Sequence, residues 1–299
     1  MSLSVLRLVV SLRPLQWSKN LLLFVPSVAA QEMTSTALVW TLCLGFIAIC
    51  LIASAGYVVN DLRDRSSDQF HPSKRRRPIA AGDISPTVAG SLALVLAFSG
   101  YFIAFTLSSN FFTLLVVYGM FTATYSFWLK RVVLADCLVL SSLYAIRILA
   151  GAALVDIPVS FWLLTFALFF FTSLAFSKRY SEIVARSAQS VDGALVGRGY
   201  CVGDGPLVLA VGVAAGFVSL LVLALYLQTD MVRVIYEHPE RLWSALPLTT
   251  YWIARLWLTA HRGRLAEDPV LFALHDRGSL VTGALVFAVL VLSSSVVPF

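Results

Sequence analysis

Asp61, Asp64 and Asp68 follow a long apolar stretch at spacings of three and four residues. If the helix continues, each residue advances about 100°, so Asp64 lies about 60° and Asp68 about 20° from Asp61. Three carboxylates would then share one face. Like charges at that spacing repel, and a hard divalent cation is the natural offset. Mg²⁺ takes oxygen ligands, keeps some of its waters and shares phosphate oxygens. The spacing therefore suits Asp61, Asp64 and Asp68 as ligands of Mg²⁺ bridging to a diphosphate, with Asn60 beside them. The expected setting is a polar helix end closed by Pro72, where Asp61 or Asp68 can be removed with stability nearly unchanged. The basic run that follows offers Lys74 and Arg77 to the remaining phosphate charge, while Arg75 and Arg76 read as solvated loop residues.

Further cations stand elsewhere. Arg147 lies inside an apolar stretch, where insertion costs roughly 2.5–3.5 kcal/mol. Binding an anionic phosphate that enters from lipid is the functional reading, and pairing with a buried carboxylate is the structural one. Lys178, Arg179 and Tyr180 close another apolar stretch and suit a cationic phosphate site or, equally, a charged anchor at a helix end. Lys19 is a weaker candidate, because snorkelling to the membrane interface also accounts for it. His71 is a possible phosphate contact, whereas His238 and His261 read as solvated loop residues. The four cysteines show no ligand spacing. Residues 268–277 read as a short interfacial helix, with Asp276 and Arg277 as lesser candidates at a cavity rim.

These residues need elements to hold them. The 299 residues are 59% hydrophobic and 13% charged, against about 45–50% and 25% in soluble domains. That excludes a soluble enzyme, a disordered chain and a disulfide scaffold. Apolar runs near 15–31, 38–59, 88–107, 111–129, 134–154, 159–177, 207–227, 244–260 and 279–297 predict an all-α membrane protein of nine spans. The first resembles a signal peptide, with Ser27-Val28-Ala29 like a cleavage site, but Pro26 breaks its apolar run and it reads as an imperfect span. With the N-terminus cytoplasmic, all of the 22 Lys and Arg except Arg147, Arg233 and Arg241 fall in or beside inside segments. The basic balance thus belongs to topology and not to nucleic acid. This places the long charged loops on the cytoplasmic face of an inner membrane and the C-terminus outside. Residues 1–299 read as one domain, with two long loops four helices apart hinting at two four-helix halves plus a ninth helix.

The motif Asn60-Asp61-x-x-Asp64-x-x-x-Asp68, continuing into His71-Pro72-x-Lys74-x-x-Arg77-Pro78-Ile79-Ala80-Ala81-Gly82, resembles the first Asp-rich motif of the UbiA superfamily of intramembrane prenyltransferases. The resemblance implies nine helices around a central cavity and a prenyl diphosphate held through Mg²⁺. Where that superfamily usually carries a second Asp-rich motif, this chain has Ser177-Lys178-Arg179-Tyr180-Ser181-Glu182. With Gln16-Trp17-Ser18-Lys19-Asn20 and Tyr144-x-x-Arg147-x-x-x-Gly151, this is similar to a branch of decaprenyl-phosphate phosphoribosyltransferases. That branch implies 5-phosphoribosyl 1-diphosphate as donor and a polyprenyl phosphate lipid as acceptor, with Lys178, Arg179 and Tyr180 at the 5-phosphate. The alternatives are prenyl transfer to an aromatic or other acceptor and, in a different class, a transporter or flippase.

Overall fold

The computed structural model describes residues 3–33, 35–70, 74–187, 198–265 and 268–294, and they form helices joined by turns. The chain divides into two compact units, residues 1–127 with 146–158 and residues 128–145 with 159–299.

The first unit opens with α1 (Leu3–Leu12), an 11-residue 3₁₀ run (Pro14–Phe24) and α2 (Val25–Ala29). The expected first span at 15–31 is therefore not one α-helix. Such long 3₁₀ runs are uncommon because their hydrogen bonds are poorer, and here side chains tie the run down. Trp17 donates through Nε1 to Ser54 Oγ at 3.0 Å, and Asn20 donates through Nδ2 to Cys50 Sγ at 3.2 Å.

Next comes α3 (Thr36–Arg63), capped by Ser35, whose side chain accepts from the Leu38 N–H. Its 28 residues rise about 42 Å, against about 30 Å of hydrocarbon, so the surplus carries Asn60 and Asp61 beyond an apolar core. Asp64 leaves helical geometry at ψ 3° and separates α3 from the one-turn α4 (Arg65–Asp68). The expected continuous helix is thus broken at its middle aspartate and ends at Asp68; Pro72, the expected terminator, lies outside the described residues with His71. Beyond Arg77, the chain makes a tight turn closed by Gly82 at φ +83°, a left-handed conformation that glycine adopts without a Cβ clash. Ile79 and Ile84 from this turn pack on Val58 of α3, which draws Arg77 back over the end of α3. The unit continues with α5 (Pro86–Leu107) and α6 (Ser109–Phe127), and ends with the later part of α7 (Ala135–Leu154).

The second unit holds the start of α7, then α8 (Phe161–Ser187), α9 (Gly205–Leu227), α10 (Asp230–Ile235), α11 (Ala245–His261), α12 (Pro269–His275) and α13 (Arg277–Ser293). Trp257 of α11 donates to Ser173 Oγ of α8 at 3.0 Å. The short helix expected at 268–277 is α12, bent by 84° from α13. Asp276 sits at that bend. It caps α13 through the Ser279 N–H at 2.7 Å and accepts from Arg255 at 2.7 Å.

Over its described residues, each expected span from 38–59 onward coincides mainly with an α-helix. Among the described residues, five helices are long and apolar enough to cross a bilayer, or six if the bent pair α12–α13 counts as one span. The chain is a multi-pass membrane protein.

Candidate functional site

Asp61 and Asp68 are brought together, and both are buried. Arg77 joins them: its Nη1 donates to Asp61 Oδ1 at 3.0 Å and to Asp68 Oδ2 at 2.6 Å. Arg13 donates through Nη2 to the same Asp61 oxygen at 2.6 Å and lies 5.2 Å from the Tyr57 ring centroid. The expected repulsion between carboxylates is thus met by two arginines. This corrects the expectation of a polar surface from which an aspartate is freely lost, since both acids are buried and removing either leaves two arginines with one carboxylate between them. Asn60 and Asp64 are partly buried beside the pair, and Lys74, Arg75 and Arg76 are exposed. Sequence reasoning gave Arg13 to topology alone. Its one local signal is its place before Pro14, in a chain that must turn sharply there.

Two carboxylate oxygens converging on one cation position are a hard donor set of the kind Mg²⁺ takes, with phosphate and water completing its shell. Among the described residues, no group of three or more His, Cys, Asp or Glu side chains is placed to hold a metal ion. The fit is therefore to a metal arriving with phosphate oxygens rather than to an all-protein cage.

Arg147 is buried in the later part of α7. Its Nε donates to Asn20 Oδ1 at 2.8 Å, its Nη2 donates to Tyr118 Oη at 2.8 Å, and its guanidinium lies 4.8 Å from the Tyr118 ring centroid. The 3₁₀ run delivers Asn20, and Gly151 lets α7 approach it, because a Cβ there would collide with the Leu23 carbonyl. Lys19, adjacent to Asn20, is partly buried.

In the second unit, neighbouring residues of α8 have different surroundings. Arg179 is fully buried and pairs with Asp136 Oδ2 at 2.8 Å and with Glu182. Tyr200 donates to the other Asp136 oxygen at 2.7 Å. Burial pushes the Tyr200 hydroxyl pKa well above the ordinary tyrosine range, since its anion would sit in a desolvated place next to Asp136. Lys178 is partly exposed and pairs with Asp268 at 2.9 Å. Tyr180 is buried, with Oη 2.9 Å from His261 Nδ1. His261 is exposed, as expected, but it is the last residue of α11 rather than part of a loop, and it partners Tyr180. No sequence spacing announces that contact across 81 residues.

Residues 21–280 match the model of the UbiA prenyltransferase family. The chain belongs to the UbiA prenyltransferase family. Its fold is similar to that of a UbiA homolog from Archaeoglobus fulgidus bound to GPP and Mg²⁺, with a TM-score of 0.68 over 96% of this chain and 99% of that one, at 18% identity. Among relatives, uncharacterized protein y4nM of Sinorhizobium fredii is 38% identical over 94% of this chain, and this chain spans only 55% of it. Nodulation protein NoeC of Azorhizobium caulinodans is 36% identical over 90% of this chain and 87% of its own length. A decaprenyl-phosphate phosphoribosyltransferase from Mycolicibacterium smegmatis is 37% identical over 59% of this chain and 57% of that protein.

Proposed function

We propose that the chain transfers a 5-phosphoribosyl group from 5-phosphoribosyl 1-diphosphate to a polyprenyl phosphate and releases diphosphate. The observation that carries this reading is one converging carboxylate pair, Asp61 and Asp68, with Lys178-Arg179-Tyr180 in place of a second acidic motif. The partial match to decaprenyl-phosphate phosphoribosyltransferases supports the same choice of substrates. In this reading residues 1–299 act as one domain, and the transfer takes place at the cytoplasmic face, with the N-terminus inside.

Asp61 and Asp68 would hold Mg²⁺, with Asp64 and Asn60 alongside, and Mg²⁺ bound there would supply positive charge against that of the departing diphosphate. Arg77 and Lys74 orient that diphosphate. Lys178 and Tyr180 take the 5-phosphate, and Arg179, closed by its two carboxylates, holds α8 in position for them. Arg147, oriented by Asn20 and Tyr118, receives the acceptor phosphate, and Lys19 steadies it. An acceptor oxygen forms a bond to the anomeric carbon while the bond to diphosphate breaks, its electron pair leaving with diphosphate. The anomeric centre inverts. The attacking phosphate is already anionic at neutral pH, so no general base is needed, and catalysis is alignment and charge stabilisation.

The test is diphosphate release by the purified protein. Release from 5-phosphoribosyl 1-diphosphate is expected only with a polyprenyl monophosphate and Mg²⁺ present. Release from geranyl diphosphate with an aromatic acceptor, and none with the ribosyl donor, overturns the reading in favour of prenyl transfer.

A further inference from the structure

The carboxylate pair is already neutralised within the protein. Asp61 and Asp68 carry two negative charges, and Arg13 and Arg77 carry two positive ones on the same oxygens. The acids are enclosed, with side chains 4% and 5% exposed, whereas Arg13 and Arg77 are 27% and 26% exposed. One nitrogen, Arg77 Nη1, stands where a cation shared by both acids would stand. Arg13 reaches Asp61 from a left-handed backbone at φ 54°, directly before Pro14. That conformation is unfavourable for a side-chain-bearing residue, and proline further restricts the residue before it. Arg13 is therefore held there by its surroundings, and its Asp61 contact is part of them.

We propose that Arg13 and Arg77 make metal uptake conditional on the diphosphate. The inference rests on the metal–diphosphate role assigned above and deepens it. Divalent metal alone meets a neutral quartet and the repulsion of two guanidinium groups. A diphosphate brings more negative charge than Mg²⁺ brings positive, so it supplies the counter-charge that Arg77 needs to leave the aspartates. Arg77 then exchanges carboxylate for phosphate, which it can reach because it is partly exposed. Arg13 stays on Asp61 and keeps that acid oriented.

The experiment is calorimetric titration of Mg²⁺ into the detergent-solubilised full chain, with and without inorganic diphosphate and without any ribosyl or lipid substrate. Wild type is expected to bind Mg²⁺ roughly tenfold tighter or more with diphosphate, the scale of one exchanged charge-assisted hydrogen bond. Arg77→Gln is expected to bind Mg²⁺ alone roughly tenfold tighter than wild type does, and Arg77→Lys to keep the wild-type order. If Arg77→Gln does not fold, Arg13→Gln is titrated instead, with a smaller gain expected. Equal affinity of variant and wild type for Mg²⁺ alone overturns the proposal, as does indifference of wild type to diphosphate. Absence of Mg²⁺ uptake under both conditions overturns the exchange together with the metal assignment. Failure of phosphoribosyl transfer with the expected titrations overturns only the choice of donor and acceptor.

Discussion

Around Asp61 the acids are buried and the cations that meet them are about a quarter exposed; around Arg179 the cation is enclosed and Glu182, 36% exposed, stands at the rim. Both regions balance charge internally, but they differ in which member a ligand can reach. Arg77 and Arg13 have access to solvent, and Arg77 is the one proposed to trade a partner. Arg179 has none, and Asp136 beside it is equally enclosed. The difference separates charges that solvent can reach from charges enclosed in the fold. Lys178 falls in the first class and its neighbour Arg179 in the second, although they are adjacent in sequence.

Substitutions can break that division. The largest expected effect on stability is that of Arg179→Ala, which leaves Asp136 buried and uncompensated at a cost of about 3–5 kcal/mol. Thermal melting in detergent measures it, and Arg179→Met combined with Asp136→Leu is expected to recover most of the loss. An Arg179→Ala protein that melts with the wild type would place Arg179 among the exchangeable charges.

Tyr200→Phe is next. It removes a hydrogen bond to a charged acceptor, a loss of about 1.5–3 kcal/mol. The wild-type contribution also has a pH signature. Because burial raises the Tyr200 pKa above its unfolded value, folding favours the neutral hydroxyl. Its stabilisation is complete below the ordinary tyrosine range and is lost as pH rises through and above about 10. Melting curves on either side of that pH should therefore fall less steeply for Tyr200→Phe than for the wild type; parallel falls would contradict a buried Tyr200–Asp136 bond.

Asp68→Asn is expected to cost less, about 1–2 kcal/mol, because Arg77 is partly solvated and its pairing is screened. Turnover, however, should be abolished, and near-normal rates at low Mg²⁺ would remove Asp68 from the metal's ligands. Lys178→Ala is the smallest in stability, below about 1 kcal/mol. It should raise the donor KM roughly tenfold while the acceptor KM stays unchanged. A rise in the acceptor KM instead would move Lys178 to the lipid phosphate.

Apolar runs located the helices because burial in lipid demands them at a length that a window of residues can register. The 3₁₀ run at Pro14–Phe24 was not legible. It depends on Trp17 and Asn20 finding Ser54 and Cys50, contacts that no local spacing encodes. The aspartate spacing revealed the acids but not their burial, because Arg13 lies 48 residues from Asp61. The same holds for Arg179. Its sequence neighbours promise an open cationic patch, yet a step of about 100° along a helix turns it onto Asp136 while Lys178 meets Asp268. Helix periodicity marks which residues differ in facing, but not what waits on each side.

The most direct measurement is the mass of the lipid product. Polyprenyl phosphate incubated with the purified protein, Mg²⁺ and 5-phosphoribosyl 1-diphosphate is extracted and its mass determined. The expected result is an acceptor heavier by one phosphoribosyl group, formed by wild type and absent with Asp61→Asn. Acceptor recovered unchanged from wild type, under conditions where the same preparation lengthens or attaches a prenyl chain, would contradict the account.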